Sequence, residues 1–112
     1  MSLLRSMNKT KIQWAAEARE QWRKTASYIL QEWGLSALRK FKEHTEDIQN
    51  QLIEFPSLGK VEPLLADRNR LYRSIVLTRQ NKIIYYIQDD TVYIVGFWDT
   101  RREPKKQAKK TN

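Results

Sequence analysis

Hydrophobic positions in this chain change their spacing once, and the change divides the chain in two. From Ala15 to Phe55 they recur at steps of three and four; from Leu71 to Trp98 they come in short runs and alternations. Before either, Lys11 to Trp14 alternates polar and apolar, with Ile12 and Trp14 on one side, which predicts a short first strand. Ala15, Ala18, Trp22, Ala26, Ile29 and Trp33 then fall on one face of a first helix. Glu17 and Glu20 lie in its first turn, where acids suit the positive helix end, and Gly34 is a natural stop in the left-handed conformation. Ser36 is the expected N-cap of a second helix, whose stripe runs Leu38, Phe41, Thr45, Ile48, Leu52, Phe55. Pro56 cannot continue it. So tight a break at Gly34 predicts an antiparallel helical hairpin with facing apolar stripes, its tryptophans and phenylalanines serving as core.

Pro56 to Arg70 holds two prolines, a glycine and mixed charge, and reads as a loop pinned by Leu58, Val61, Leu64 and Leu65. Three strands follow: Leu71–Leu77, Lys82–Gln88 and Thr91–Trp98. Strict alternation puts Arg73, Ile75 and Leu77 on one face of the first, Ile83, Tyr85 and Ile87 on one face of the second, and Val92, Ile94, Gly96 and Trp98 together on the third. Asp89-Asp90 and Arg79–Asn81 are the hairpin turns. The order predicts an α+β fold: a small antiparallel β-sheet (β-α-α-β-β-β) with a helical hairpin packed on one face, the first strand joining beside the last. The helices can cover only one face of such a sheet. The other is expected to be a concave, aromatic-rich, partly exposed binding surface.

Length adds that 112 residues make one domain. Its expected bounds are residues 10–102, with a flexible extension at 1–9 and a disordered basic tail at 103–112; either Met1 or Met7 could be the natural start. Cysteine is absent and His44 is the only histidine, so neither a disulfide nor a Cys- or His-built metal site is expected, and no cofactor. The first residues, MSLLRSMNKTK, carry no apolar h-region, so no secretion signal is expected, and no apolar run of roughly 18 residues is present to span a membrane, which fits the cytoplasm. Net charge is +8, but six basic residues and one acid fall within residues 101–112, leaving 15 basic against 12 acidic residues, +3, before them. A basic tail points less strongly to a nucleic-acid groove than a basic body would.

The words IQWAAEA, YILQEWG, EFPSLGK, LYRSIVL and KIIYYIQDDTVYIVGFWDTRREP, in this order, resemble the RelE/ParE superfamily of bacterial toxins from type II toxin–antitoxin (plasmid stabilisation) modules. The resemblance covers about residues 10–104. It implies a growth-inhibiting toxin neutralised by a small acidic antitoxin encoded beside it, and contact with operator DNA only through the antitoxin complex. The superfamily splits. RelE-like members are ribosome-dependent, metal-independent mRNA endoribonucleases; ParE-like members bind and inhibit DNA gyrase.

Metal-free RNA cleavage needs a base for the 2′-hydroxyl, cations for the phosphorane and an acid for the leaving oxygen. The resemblance makes Arg73 the phosphate-facing arginine, with Arg79 or Lys82 as a second cation and Lys60 and Glu62 as loop groups. Where nuclease relatives carry histidine or tyrosine, this chain carries Asp99, an anion at neutral pH and a poor acid. Tyr85 or Tyr93 could substitute if either faces the groove; His44 reads as a solvated helix residue. Arg73, Arg79 and Asp99 are therefore the candidate catalytic residues. Lys60, Arg73, Lys82, Tyr85, Trp98, Arg101 and Arg102 are candidates for RNA, target or antitoxin binding, with a plainer alternative for each: Arg73 paired with an acid such as Asp99, Trp98 as sheet packing. A toxin acting by binding is the leading expectation, an endoribonuclease the second, and an inactive relative the third. The antitoxin is expected on the exposed sheet face and in the helical groove beside Trp22 and Trp33.

Overall fold

The computed structural model describes residues 10–65 and 69–100. Strand β1 (Lys11–Trp14) leads into α1 (Ala16–Trp33) and α2 (Leu35–Glu54); β2 (Lys60–Val61), β3 (Arg73–Thr78), β4 (Asn81–Gln88) and β5 (Thr91–Asp99) follow. The five strands form one sheet in the order β1-β5-β4-β3-β2. The closing meander is antiparallel, as its short turns require. β1 lies beside β5 as expected but runs parallel to it, because the chain crosses the sheet through the helical hairpin before returning. The sheet is thus mixed, and the unforeseen two-residue β2 extends it antiparallel to β3.

Gly34 ends α1 at φ 94°, ψ 179°, its N–H donating to the Ile29 and Leu30 carbonyls. It also precedes Leu35 as the cap of α2, so Ser36 lies inside that helix and caps nothing. Packing of the two helices follows the predicted stripes. Ala18 and Ala26 are buried, and their small size lets α1 lie close to the sheet. Phe41, Thr45, Ile48 and Leu52 are buried on α2. Trp22 stacks on Phe41 with ring centroids 5.2 Å apart, and its Nε1 donates to Thr45 Oγ1 at 2.9 Å. The stripe's last members depart from the core: Trp33 and Phe55 are 71% and 59% exposed.

On the helix-covered face of the sheet stand Ile75, Leu77, Ile83, Tyr85, Val92, Ile94 and Phe97. Strict alternation misplaces three residues of β5, Gly96, Phe97 and Trp98. Tyr85 pairs with Ile94 but Ile84 pairs with Gly96, so Val95 is an extra residue. That bulge turns Phe97 to the helices and Trp98 to the other side. Beyond Ile94 the strand has no β1 partner, and the Phe97 N–H donates instead to Gln21 Oε1 of α1 at 2.9 Å.

The outer face is less open than expected. A 3₁₀ turn at Pro63–Leu65 lays Leu64 and Leu65 over Ile84 and Trp98, leaving Trp98 4% exposed. Leu65 does pin its loop; Leu58 and Val61 remain largely exposed. The rest of this face carries Tyr72, Tyr86 and Tyr93.

Candidate functional site

The residues singled out by sequence separate into three places. The first is the junction of β3 with the loop after α2. Arg73 and Tyr85 are cross-strand partners and reach the same loop. Arg73 Nη1 donates to the Gly59 carbonyl at 2.7 Å and to the Ser57 carbonyl at 3.4 Å. The Tyr85 hydroxyl donates to the Pro56 carbonyl at 2.7 Å and accepts from the Gly59 N–H at 2.8 Å. A Cβ on residue 59 would lie 2.6 Å from the Ser74 carbonyl oxygen and 2.8 Å from the Tyr85 hydroxyl, so the glycine of PSLGK is there for close approach. Tyr85 is fully buried, and burial raises its pKa despite the Gly59 hydrogen bond and the nearby Arg73 charge. It stays protonated and structural; it presents no surface to a ligand. Arg73 is half-buried and tied to carbonyls.

The second place is the outer sheet face. Lys82 Nζ sits 2.8 Å from Glu62 Oε1, with the Lys82 side chain 10% and the Glu62 side chain 1% exposed. Glu62 also takes the Leu64 N–H at 3.0 Å. Burial pushes the Glu62 pKa up, but hydrogen bonds from Lys82, Ser74 and Leu64 outweigh it and hold the carboxyl below its ordinary value. The Lys82 ammonium lies 5.6 Å from the centroid of the Trp98 ring. Lys82 is therefore a buried half of an ion pair, and Trp98 is sheet packing; neither offers itself to RNA. Lys60 is exposed on the same face, across from Ser74.

The third place is an open groove of about 1040 Å³ between the helical hairpin and the β3–β4 turn. Arg79 and Asp99 both line it. So does His44, exposed on α2. Lys24 and Lys40 add positive charge and Glu17 and Glu20 negative charge, and Tyr28 and Trp33 supply aromatic surface. The floor is Phe41 and Phe97, which meet edge to face at 5.9 Å. Trp33 belongs to the groove as expected, while Trp22 is spent between the helices.

Arg73 and Asp99 are far apart. Thr78 is level with Asn81, and Asn81 with Asp99, whereas Arg73 stands five residues, about 17 Å, back along β3. The expected alternative of an Arg73–Asp99 ion pair is thereby excluded. Arg101, Arg102 and the tail lie outside the described residues, as does the 1–9 extension. Tyr93 is half-buried and stacked on Tyr86. The Glu62–Lys82 pair escaped the sequence reading. Its signal was a lysine heading an otherwise apolar strand, where a buried charge needs a partner. Among the described residues no group of three or more His, Cys, Asp or Glu could hold a metal ion, and no helix is long and apolar enough to cross a membrane.

A family model described as the ParE toxin of the type II toxin–antitoxin system, parDE, matches residues 12–104. No curated protein sequence matches the chain. Three solved structures share the fold. A chain of the chromosomal ParDE toxin–antitoxin system from P. aeruginosa is 12% identical with TM-score 0.65, covering 82% of this chain and 97% of its own. The YoeB dimer from Staphylococcus aureus is 17% identical with TM-score 0.57, covering 80% and 94%. The YoeB/ParE toxin from Agrobacterium tumefaciens is 17% identical with TM-score 0.55, covering 80% and 98%.

Proposed function

This chain belongs to the ParE toxin family of type II toxin–antitoxin systems, and on that premise we propose that it inhibits growth by binding its target, with DNA gyrase as that target, and that it does not cut RNA. The dispersal of the nuclease candidates carries this reading. A base, a cation and an acid must meet within hydrogen-bond reach of one phosphodiester. Here Arg73 and Tyr85 hold a loop, Lys82 is bound to Glu62, and Arg79 and Asp99 lie at the opposite end of β3 from Arg73. What stays accessible is the groove, aromatic and of mixed charge in its lining, which suits a macromolecular partner.

The same groove is the proposed seat of the antitoxin. Lys24, Lys40 and Arg79 can meet acids of an antitoxin segment and Glu17, Glu20 and Asp99 its bases, and Trp33, 71% exposed, is the kind of anchor that interfaces bury. Two assays test the reading. The purified protein should inhibit supercoiling by gyrase and leave mRNA ends on translating ribosomes unchanged. A-site cleavage abolished by Arg73→Ala would overturn it in favour of an endoribonuclease; normal growth on induction without antitoxin would overturn toxicity itself. Co-expression with the adjacent gene should yield a co-purifying acidic protein.

A further inference from the structure

The outer sheet face holds a column of rings that the groove does not use. Tyr86 on β4 and Tyr93 on β5 are in register and stacked, with centroids 5.1 Å apart at an interplanar angle of 23°. Tyr72 meets Tyr86 edge to face at 5.9 Å. The guanidinium of Arg70 lies 4.1 Å from the Tyr86 centroid and is held in place by a 2.9 Å hydrogen bond to Gln88. Tyr86 thus contacts two rings and one cation. Tyr93 is stacked on the β4 side alone, so its other face turns toward β1.

The next position in that direction is not aromatic. Gln13 of β1 pairs with Tyr93 and is exposed. Strands lie about 4.8 Å apart, close to the ring spacing already present, so a flat ring over Gln13 would continue the column by one layer. The side-chain amide of Gln13 would lie against that ring as donor and acceptor. Lys11, on the same side of β1 and two residues away, is 72% exposed. It meets Asp90 only at 3.9 Å, and Asp90 is 60% exposed, a pairing that yields readily in water. Lys60 and Arg70 are further exposed cations on this face.

We propose that this face binds single-stranded nucleic acid, with one base stacked on Tyr93 over Gln13 and the neighbouring phosphates facing Lys11. The occupant follows from the combination: a π-face that carries no second ring, an exposed amide beside it, and exposed cations nearby. Aromatic faces on sheets hold unpaired bases in this way. Such a site is non-catalytic, lies on the opposite side of the sheet from the groove's helices, and does not depend on gyrase or the antitoxin.

The test is fluorescence anisotropy with labelled oligouridine and oligothymidine of about ten nucleotides, in about 0.3 M NaCl so that purely electrostatic attraction, including that of the basic tail, is suppressed. The wild type should bind one or both, the tighter arm naming RNA or DNA as the source. Tyr93→Ser should weaken binding roughly ten-fold or more, and Tyr93→Phe should keep it. Gln13→Glu, at an exposed position, should also weaken it, so the result stands even if Tyr93→Ser folds poorly. No binding by the wild type at this salt, or equal binding by wild type and Gln13→Glu, would overturn the proposal.

Discussion

Lys82 Nζ lies 2.8 Å from Glu62 Oε1, and the two side chains are almost wholly removed from water. Nothing else in the described chain buries charge so deeply on both sides of a pair. Removing one partner strands the other in a site built to exclude water, and the cost of a broken buried pair is about 3–5 kcal/mol. Lys82→Met should therefore lower stability by that order in urea unfolding. Replacing both, Glu62→Leu with Lys82→Met, should recover most of the loss, because the pair's desolvation cost disappears with it. A double variant as unstable as the sum of its singles would show that the contact itself, and not its completeness, is what matters.

The same pair sets an acid limb. The folded Glu62 carboxyl is held below its ordinary value of 4.5 by its hydrogen bonds from Lys82, Ser74 and Leu64, which outweigh the upward push of burial. Above 4.5 both folded and unfolded chains carry the ionised group, and the contribution is complete. As pH falls below 4.5 the unfolded chain takes up the proton first, so stability declines and is lost through the lowered folded value. Melting temperatures measured from pH 7 to pH 3 should drop more steeply for the wild type than for Glu62→Gln. Parallel curves would mean that Glu62 is not a source of the acid sensitivity.

Gly59 fits where no side chain can. Its missing Cβ would lie 2.6 Å from the backbone oxygen of Ser74 and 2.8 Å from the Tyr85 hydroxyl, and backbone does not give way cheaply. Gly59→Ala should cost about 1–3 kcal/mol. Tyr85→Phe should cost a similar amount for another reason: the Gly59 N–H and the Pro56 carbonyl lose their buried partner. Since both act on one loop, their effects should fall short of additivity in a double-mutant cycle by about 0.5 kcal/mol or more. Strict additivity would deny that the loop is one unit.

Much of this fold was written in period alone. The stripe Phe41, Thr45, Ile48, Leu52 buried as spaced, and the meander followed from three apolar runs with short polar breaks. The misses have local causes. Period-two counting cannot register an extra residue, so the Val95 bulge exchanged the faces of Phe97 and Trp98. β1 pairs parallel because the crossover through the hairpin decides its direction, which no property of KIQW reveals. The candidate site fared worse for a related reason. Arg73 and Asp99 each looked apt, but their separation along β3 depends on which residues are level across strands. Glu62 and Lys82 are 20 residues apart in sequence, and the pairing of β2 with β3, continued by the Glu62 N–H to the Tyr72 carbonyl, brings them together. Arg79, His44 and Trp33 come from three elements and meet only because the hairpin stands over the β3–β4 turn.

That groove yields the last prediction. Trp33 is the most exposed large hydrophobic residue described, at 71%, and it lines the groove with Arg79, Lys24 and Lys40. Neither Trp33 nor Arg79 supports the core, so their replacement should leave the melting temperature nearly unchanged. If the antitoxin seats here, Trp33→Ala should weaken the complex by about 2 kcal/mol, roughly thirty-fold, as loss of an aromatic anchor does. Arg79→Glu should act differently, slowing association and reducing its dependence on salt, because an exposed charge steers encounter more than it holds the complex. Calorimetry gives the first effect and stopped-flow kinetics at two salt concentrations the second. Wild-type affinity in Trp33→Ala would move the antitoxin off this groove, whatever became of the gyrase assay.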